Sequence, residues 1–135
     1  TFANVRDRGT ISLFKSYRKD YADGEQKRDF IYIKDVVEMT LFFLEARSCN
    51  GIYNIGTGRA RSWNELARAL FAACGKEGAI EYIDMPCEIR GKYQYFTEAD
   101  CTRLRGCGCG HACMSLEAAV ADYAGEYLAT ESRLS

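Results

Sequence analysis

Lys27-Arg28-Asp29-Phe30-Ile31-Tyr32-Ile33-Lys34-Asp35-Val36-Val37 is the stretch on which the reading of the fold turns. From Arg28 to Ile33 it alternates, with aromatic and β-branched residues, and this predicts a strand. Asp35 then offers an N-cap with Glu38 three residues on, the pattern of a capping box. Val36, Val37, Met39, Leu41, Phe42, Phe43 and Leu44 follow. The helix predicted over Asp35–Ala46 is apolar on most sides, so protein must cover it on more than one face.

Working outward, Thr1–Lys27 is a polar, loop-rich lead-in with room for one short strand at Ile11–Phe14. After the helix, Cys49-Asn50-Gly51 makes a turn. Ile52–Ile55 reads as a short buried strand that ends in Gly56-Thr57-Gly58. Ser62 and Glu65 form a second capping box. The helix they open carries Trp63, Leu66, Leu70 and Ala73 on one stripe and stops at Gly75. Ile80–Ile83 alternates as a third strand. Thr97 and Asp100 cap a short helix through Leu104. Ser115 opens a last helix with Leu116, Val120, Tyr123 and Tyr127 on one face. Strands separated by helices predict an α/β fold with a small, mainly parallel sheet in a single domain over residues 1–135. A sheet this small covers only one side of the apolar helix, so a second domain or another subunit is expected against the other.

The 135 residues are 47% hydrophobic and 27% charged, enough for one packed domain. Eighteen basic and nineteen acidic side chains leave a net charge of −1. That balance gives no pull toward nucleic acid or an anionic membrane. The longest apolar run, near Leu41–Leu44, falls far short of the roughly 20 residues that span a bilayer. No leader with a basic start and an apolar centre is visible. The chain begins at Thr1 rather than Met, which reads as a processed or partial chain. Seven cysteines, at 49, 74, 87, 101, 107, 109 and 113, are an odd number. Cys74 and Cys101 fall inside apolar helical patterns, as reduced thiols do, so a cytoplasmic setting is expected.

Three groups could carry chemistry. Arg28 opens the first predicted strand, and Arg90-Gly91-Lys92-Tyr93 follows the third. Guanidinium groups at strand ends can clamp a diphosphate, and a nearby tyrosine can add a hydroxyl or a stacking face; the alternative is solvated surface charge. Gly56-Thr57-Gly58-Arg59 sits between a strand and a helix as phosphate loops do. It lacks the dinucleotide and P-loop spacings, and a tight turn fits it better. Cys107, Cys109, His111 and Cys113 could supply zinc ligands, yet their single-residue spacing strains a common centre. A glycine-rich connector whose cysteines are incidental accounts for them, and no metal is assigned.

The Lys27–Val37 stretch, followed by Gly51-Ile52-Tyr53-Asn54-Ile55-Gly56-Thr57-Gly58, resembles the extended short-chain dehydrogenase/reductases that act on nucleotide sugars. Leu13–Arg18, Arg59–Asn64 and Arg90–Asp100 narrow the resemblance to the ADP-L-glycero-D-manno-heptose 6-epimerase family, over Leu13 to Leu128. It implies an NADP-dependent inversion of an ADP-sugar at C6 in lipopolysaccharide heptose synthesis. It further implies an N-terminal Rossmann domain with a Tyr-x-x-x-Lys pair, and a homo-oligomer in the full-length form. On that pattern Arg28 would hold the nucleotide diphosphate and Tyr93 would contact substrate. Phe14, Lys15, Ser16 and Tyr17 would line the same pocket. None of the nine tyrosines here has a lysine four residues later, and no glycine-rich dinucleotide fingerprint occurs. No catalytic or cofactor-binding residue is therefore assigned. The chain is expected to be the C-terminal, substrate-binding portion of such an epimerase, inactive alone, with the Rossmann domain absent. The alternative is a free-standing, non-catalytic nucleotide-sugar binding module. In the family the apolar helix packs on the Rossmann domain. Aromatic and proline residues are expected where this chain has Cys107–Cys113.

Overall fold

A computed structural model describes residues 2–128, with two small sheets flanked by helices. Helix α1 (Phe2–Arg8) leads into strand β1 (Thr10–Phe14). Gly9 makes the corner at φ 65°. The lead-in is thus more ordered than its charge suggests. Arg6, Asp7 and Arg8 hide a helix whose Val5 is fully buried.

Strand β1 pairs in parallel with a later strand (Ala79–Ile83), in the register Thr10↔Ala79 through Phe14↔Ile83. The helix that crosses back between them (Trp63–Ala73) begins where its capping box predicts. Ser62 Oγ accepts from Glu65 N at 3.2 Å, and the Glu65 carboxylate accepts from Ser62 N at 2.7 Å. Two of the amides that a helix start leaves unpaired, those of Ser62 and Glu65, are thus satisfied. Gly75, at φ 62°, closes the helix at its far end. Val5, Ile11, Ala67 and Phe71 form the core of this layer, with Leu13, Leu70, Cys74 and Ile80 packed against it. Gly78 lies under the Phe71 ring, where an added Cβ would sit 2.0 Å from a ring carbon. Only glycine lets the chain pass there.

The Arg28–Ile33 strand is not formed. Only Lys27–Arg28 (β2) pairs, antiparallel to Arg61–Ser62 (β3), with one parallel bridge from Lys27 to Phe96. The next helix, α2, starts two residues early, at Ile33–Glu45, after Tyr32. Asp35 is therefore no N-cap. It sits inside the first turn, buried, and accepts from Met114 N at 3.1 Å and pairs with His111 Nε2 at 2.8 Å. Phe30 packs on Trp63 and Ile31 on the Met39 cluster, while Ile33 is exposed, so the stretch is held by side-chain packing and not by a ladder. Ile52–Ile55 likewise joins no strand; Arg103 Nη1 donates to Ile52 O at 2.9 Å and Asn54 Nδ2 donates to Asp100 O at 3.1 Å.

In chain order, Trp63–Ala73 is α3 and Ala79–Ile83 is β4. Short helices α4 (Cys87–Arg90) and α5 (Thr102–Gly106) follow. Helix α6 (Leu116–Tyr123) is capped by Ser115 and runs into a π-helical turn, Ala124–Leu128. A second core joins α2 to α5 through Met39, Leu104 and Cys109, with Phe42, Phe43 and Tyr53 around them. Cys49 and Cys107 are disulfide-bonded across it, whereas Cys74 and Cys101, the two read as reduced thiols, are free. The outer face of α2 is bare: Ile33, Val37, Leu41 and Leu44 are between 47% and 72% exposed. No helix among the described residues is long and apolar enough to cross a membrane.

Candidate functional site

Strands β1 and β4 run parallel, so both end at one edge, where open α/β sheets place their ligands. Lys15–Tyr17 continues from β1, tied to β4 by Lys15 N donating to Ile83 O at 2.9 Å. Asp84 and the segment through Tyr95 continue from β4. Tyr93 is the hub. Its ring meets Phe14 edge-on with centroids 6.3 Å apart and Tyr95 at 5.5 Å, and the Arg28 guanidinium lies 5.2 Å over it. The guanidinium also donates to Lys27 O at 2.8 Å and to Gln94 O. Two backbone carbonyls and an aromatic face thus fix its plane beside an open hollow of about 340 Å³ lined by Arg28, Ile89, Lys92, Tyr93 and Gln94. A planar, oriented guanidinium facing solvent is suited to a bidentate anion such as a phosphate.

Lys15 and Tyr17 reach the rim through a residue the sequence did not single out. Asp84 Oδ1 accepts from Tyr17 Oη at 2.9 Å and from Lys15 Nζ at 3.3 Å. These hydrogen bonds, from Tyr17 first and then Lys15, lower the Asp84 carboxyl below its ordinary range. Burial, and then the bond to Asp84, push the Tyr17 hydroxyl up. The Arg90 guanidinium stacks 4.0 Å over the Tyr17 ring and donates to Met85 O at 2.6 Å. Ser16 is occupied differently: its N–H donates to Asp23 at 2.6 Å, across the loop, and its hydroxyl to Arg18 O at 3.0 Å. Of the six predicted residues, Arg28, Tyr93 and Phe14 form one contact chain. Lys15 and Tyr17 form a second at Asp84, and Ser16 shapes the loop. Asp84 was illegible because an aspartate after a strand looks like any turn residue.

The glycine turn does bind an anion, and it is the chain's own. Asp29 accepts from Thr57 N and Gly58 N, each at 2.9 Å, from Ala99 N at 3.0 Å, and from the Thr57 hydroxyl. Partial burial pushes this carboxyl up, but the Thr57 hydroxyl and the three amides together outweigh it and hold it below the usual carboxylate range. Gly56 makes the approach possible, since a Cβ there would lie 2.4 Å from the Ala99 Cβ and 2.7 Å from Asp29 Oδ2.

The Cys107–Cys113 connector is dispersed. Cys107 is bonded to Cys49, Cys109 is buried in the second core, and His111 faces Asp35. Burial pushes the Cys113 thiol up. Among the described residues no three histidine, cysteine or acidic side chains converge as a metal set.

Residues 2–56 match the NAD dependent epimerase/dehydratase family. The chain is 49% identical over 128 residues to an ADP-L-glycero-D-manno-heptose-6-epimerase of Nitratidesulfovibrio vulgaris, covering 95% of this chain and 40% of that protein. It is 44% identical over 137 residues to the protein of that name from Fusobacterium nucleatum, covering 97% of this chain and 41% of that one. Among solved structures, an ADP-L-glycero-D-manno-heptose-6-epimerase of Helicobacter pylori superposes with a TM-score of 0.74 at 26% identity, over 95% of this chain and 36% of that one. This chain thus spans about two-fifths of the length of the curated relatives it matches.

Proposed function

We propose, from the premise that this chain is a sequence relative of the ADP-L-glycero-D-manno-heptose-6-epimerases, that its residues form the single substrate-binding portion of such an enzyme. That portion grips the ADP-sugar, while a Rossmann-type cofactor domain holding NADP belongs to chain outside these 135 residues. The whole enzyme would then act in the cytoplasm, in heptose supply for lipopolysaccharide, as a homo-oligomer.

The observation that carries this reading is Arg28 stacked over Tyr93 and anchored to two carbonyls, in a hollow beside the C-terminal edge of the parallel strands. The fixed guanidinium would take the diphosphate in a fork, with Lys92 beside it and Lys15 at the rim as further positive charge. Tyr93 and Phe14 would give the sugar nucleotide an aromatic wall. These residues do not fit a dinucleotide site of their own: the Gly56-Thr57-Gly58 turn spends the amides of Thr57 and Gly58 on Asp29. Their part is to bind and orient substrate, and no hydride step is assigned to them. The bare stripe of α2 supports the second body, being the one apolar face of this helix with no cover among the described residues.

Titration calorimetry with the ADP-sugar tests the reading. Arg28→Ala is expected to weaken binding by about 1.5–3 kcal/mol, the loss of a charge-assisted bond; unchanged affinity removes Arg28 from the role. The chain mixed with ADP-heptose and NADP is expected to give no epimerisation. Turnover by these residues alone would overturn the division of labour.

A further inference from the structure

Two polar atoms in the described structure are buried with no hydrogen-bond partner, and they belong to neighbours. They are Gln26 Oε1 and Trp63 Nε1. The two residues face each other next to the β2–β3 pair, where Trp63 N donates to Gln26 O at 3.2 Å. Gln26 is only 1% exposed. Its amide orientation is set by the chain, because Nε2 donates to Phe14 O at 3.3 Å and to Lys15 O at 3.4 Å. With both contacts drawing on the amino group, the carbonyl end is left as an acceptor without a donor. Both side chains line one cavity of about 280 Å³, together with Ser12, Phe14, Ile83 and Tyr93. Two of those walls, Phe14 and Tyr93, are residues of the candidate site, and Tyr93 also borders the hollow of Arg28. An orphaned buried donor and acceptor each carry a desolvation cost, which a ligand offering the complementary pair would remove.

We propose that Gln26 and Trp63 are specificity-determining residues that read the hydrogen-bonding edge of the nucleobase. A flat ring fits walls made of Phe14, Trp63, Tyr93 and Ile83, whereas a sugar would bring more hydroxyls than this lining can satisfy. The edge must present a donor to Gln26 Oε1 and an acceptor to the Trp63 indole N–H. The adenine edge does so, with an amino group beside a ring nitrogen. On the edge that carries N1, hypoxanthine reverses both, setting a carbonyl against Oε1 and an N–H against the indole; on the N7 edge it still sets a carbonyl against Oε1. This proposal rests on the diphosphate reading of Arg28 and goes beyond it, since a diphosphate clamp alone is blind to the base.

Trp63 is the only tryptophan in the chain, so its emission reports on the cavity directly. The test titrates the 135-residue chain with ADP, IDP and inorganic pyrophosphate, following Trp63 fluorescence and, in parallel, heat. ADP is expected to change the emission saturably and to bind about ten- to a hundredfold more tightly than IDP. Pyrophosphate is expected to bind with little change in emission. Trp63→Phe keeps the ring but removes the N–H, and Gln26→Leu keeps the bulk while removing the acceptor. Each is expected to narrow the ADP/IDP ratio, with pyrophosphate affinity held as the check that the site is still folded. Equal ADP and IDP affinities, with pyrophosphate still bound and lost in Arg28→Ala, would overturn the base-reading role and leave the diphosphate site standing. Absence of binding by all three ligands would overturn both.

Discussion

Around Phe71 the backbone is regular and the contacts are apolar; around Asp29 the backbone is irregular and the contacts are polar. In the first region β1 and β4 satisfy each other's amides, and α3 lays Ala67 and Phe71 over them. In the second, three segments far apart in sequence, near residues 29, 57 and 99, have no ladder. A single carboxylate collects the amides that a strand would otherwise have paired. The difference shows two ways of meeting one requirement, that buried backbone groups be bonded. Regular pairing spreads the task over many residues, whereas the Asp29 hub concentrates it in one side chain. Damage to the first region should grade with the volume removed, and damage to the second should depend on charge.

Phe71→Ala tests the apolar side and carries the largest expected effect, a loss of about 3–5 kcal/mol in urea unfolding, because no neighbour can refill a ring-sized void. A loss below about 1 kcal/mol would mean that this layer is not the core. Asp29→Ala comes next, at about 3 kcal/mol, since it orphans three amides and a hydroxyl at once. The hub also predicts a pH dependence. The Asp29 carboxyl has a folded pKa below its unfolded value near 4. Its contribution is therefore complete above that value and is lost as pH falls through the lower folded one. Thermal melts between pH 6 and 3 should show wild type losing stability on acidification more steeply than Asp29→Asn; parallel curves would remove the hub from the account. Ser62→Ala should cost about 1 kcal/mol, the value of a helix N-cap, and equal stability would deny the capping box a role. Smallest of all, Lys34→Met breaks an exposed pairing with Asp122 and Glu126. Its effect on the melting temperature should disappear in 1 M salt, and a salt-independent loss would point to packing by the lysine stem instead.

The region that could be read from sequence is the regular one. Ser62 and Glu65 announced α3 because a capping box is a local device, with both partners three residues apart. Ile80–Ile83 alternates and Ile11–Phe14 is a short apolar stretch, and the two did become the parallel pair. The hub was not legible, because nothing local to Arg28–Ile33 shows that Asp29 is to be met by amides from residues 57, 58 and 99. For the same reason Asp35 looked like a cap, when its partners, His111 and Met114, lie more than seventy residues away. In the candidate site, Arg28 and Tyr93 were named from motif and stand in contact. Gln26 was passed over, because a glutamine between charged neighbours reads as surface until it is found almost wholly buried.

The bond between Cys49 and Cys107 makes a covalent ring whose two ends are 58 residues apart in sequence. That ring contains the glycine turn, α3, β4 and Tyr93, but leaves β1 and Arg28 outside it. One peptide cut by a protease within the ring would yield two pieces that still migrate as one chain until a reducing agent is added. A cut before residue 49 would separate at once.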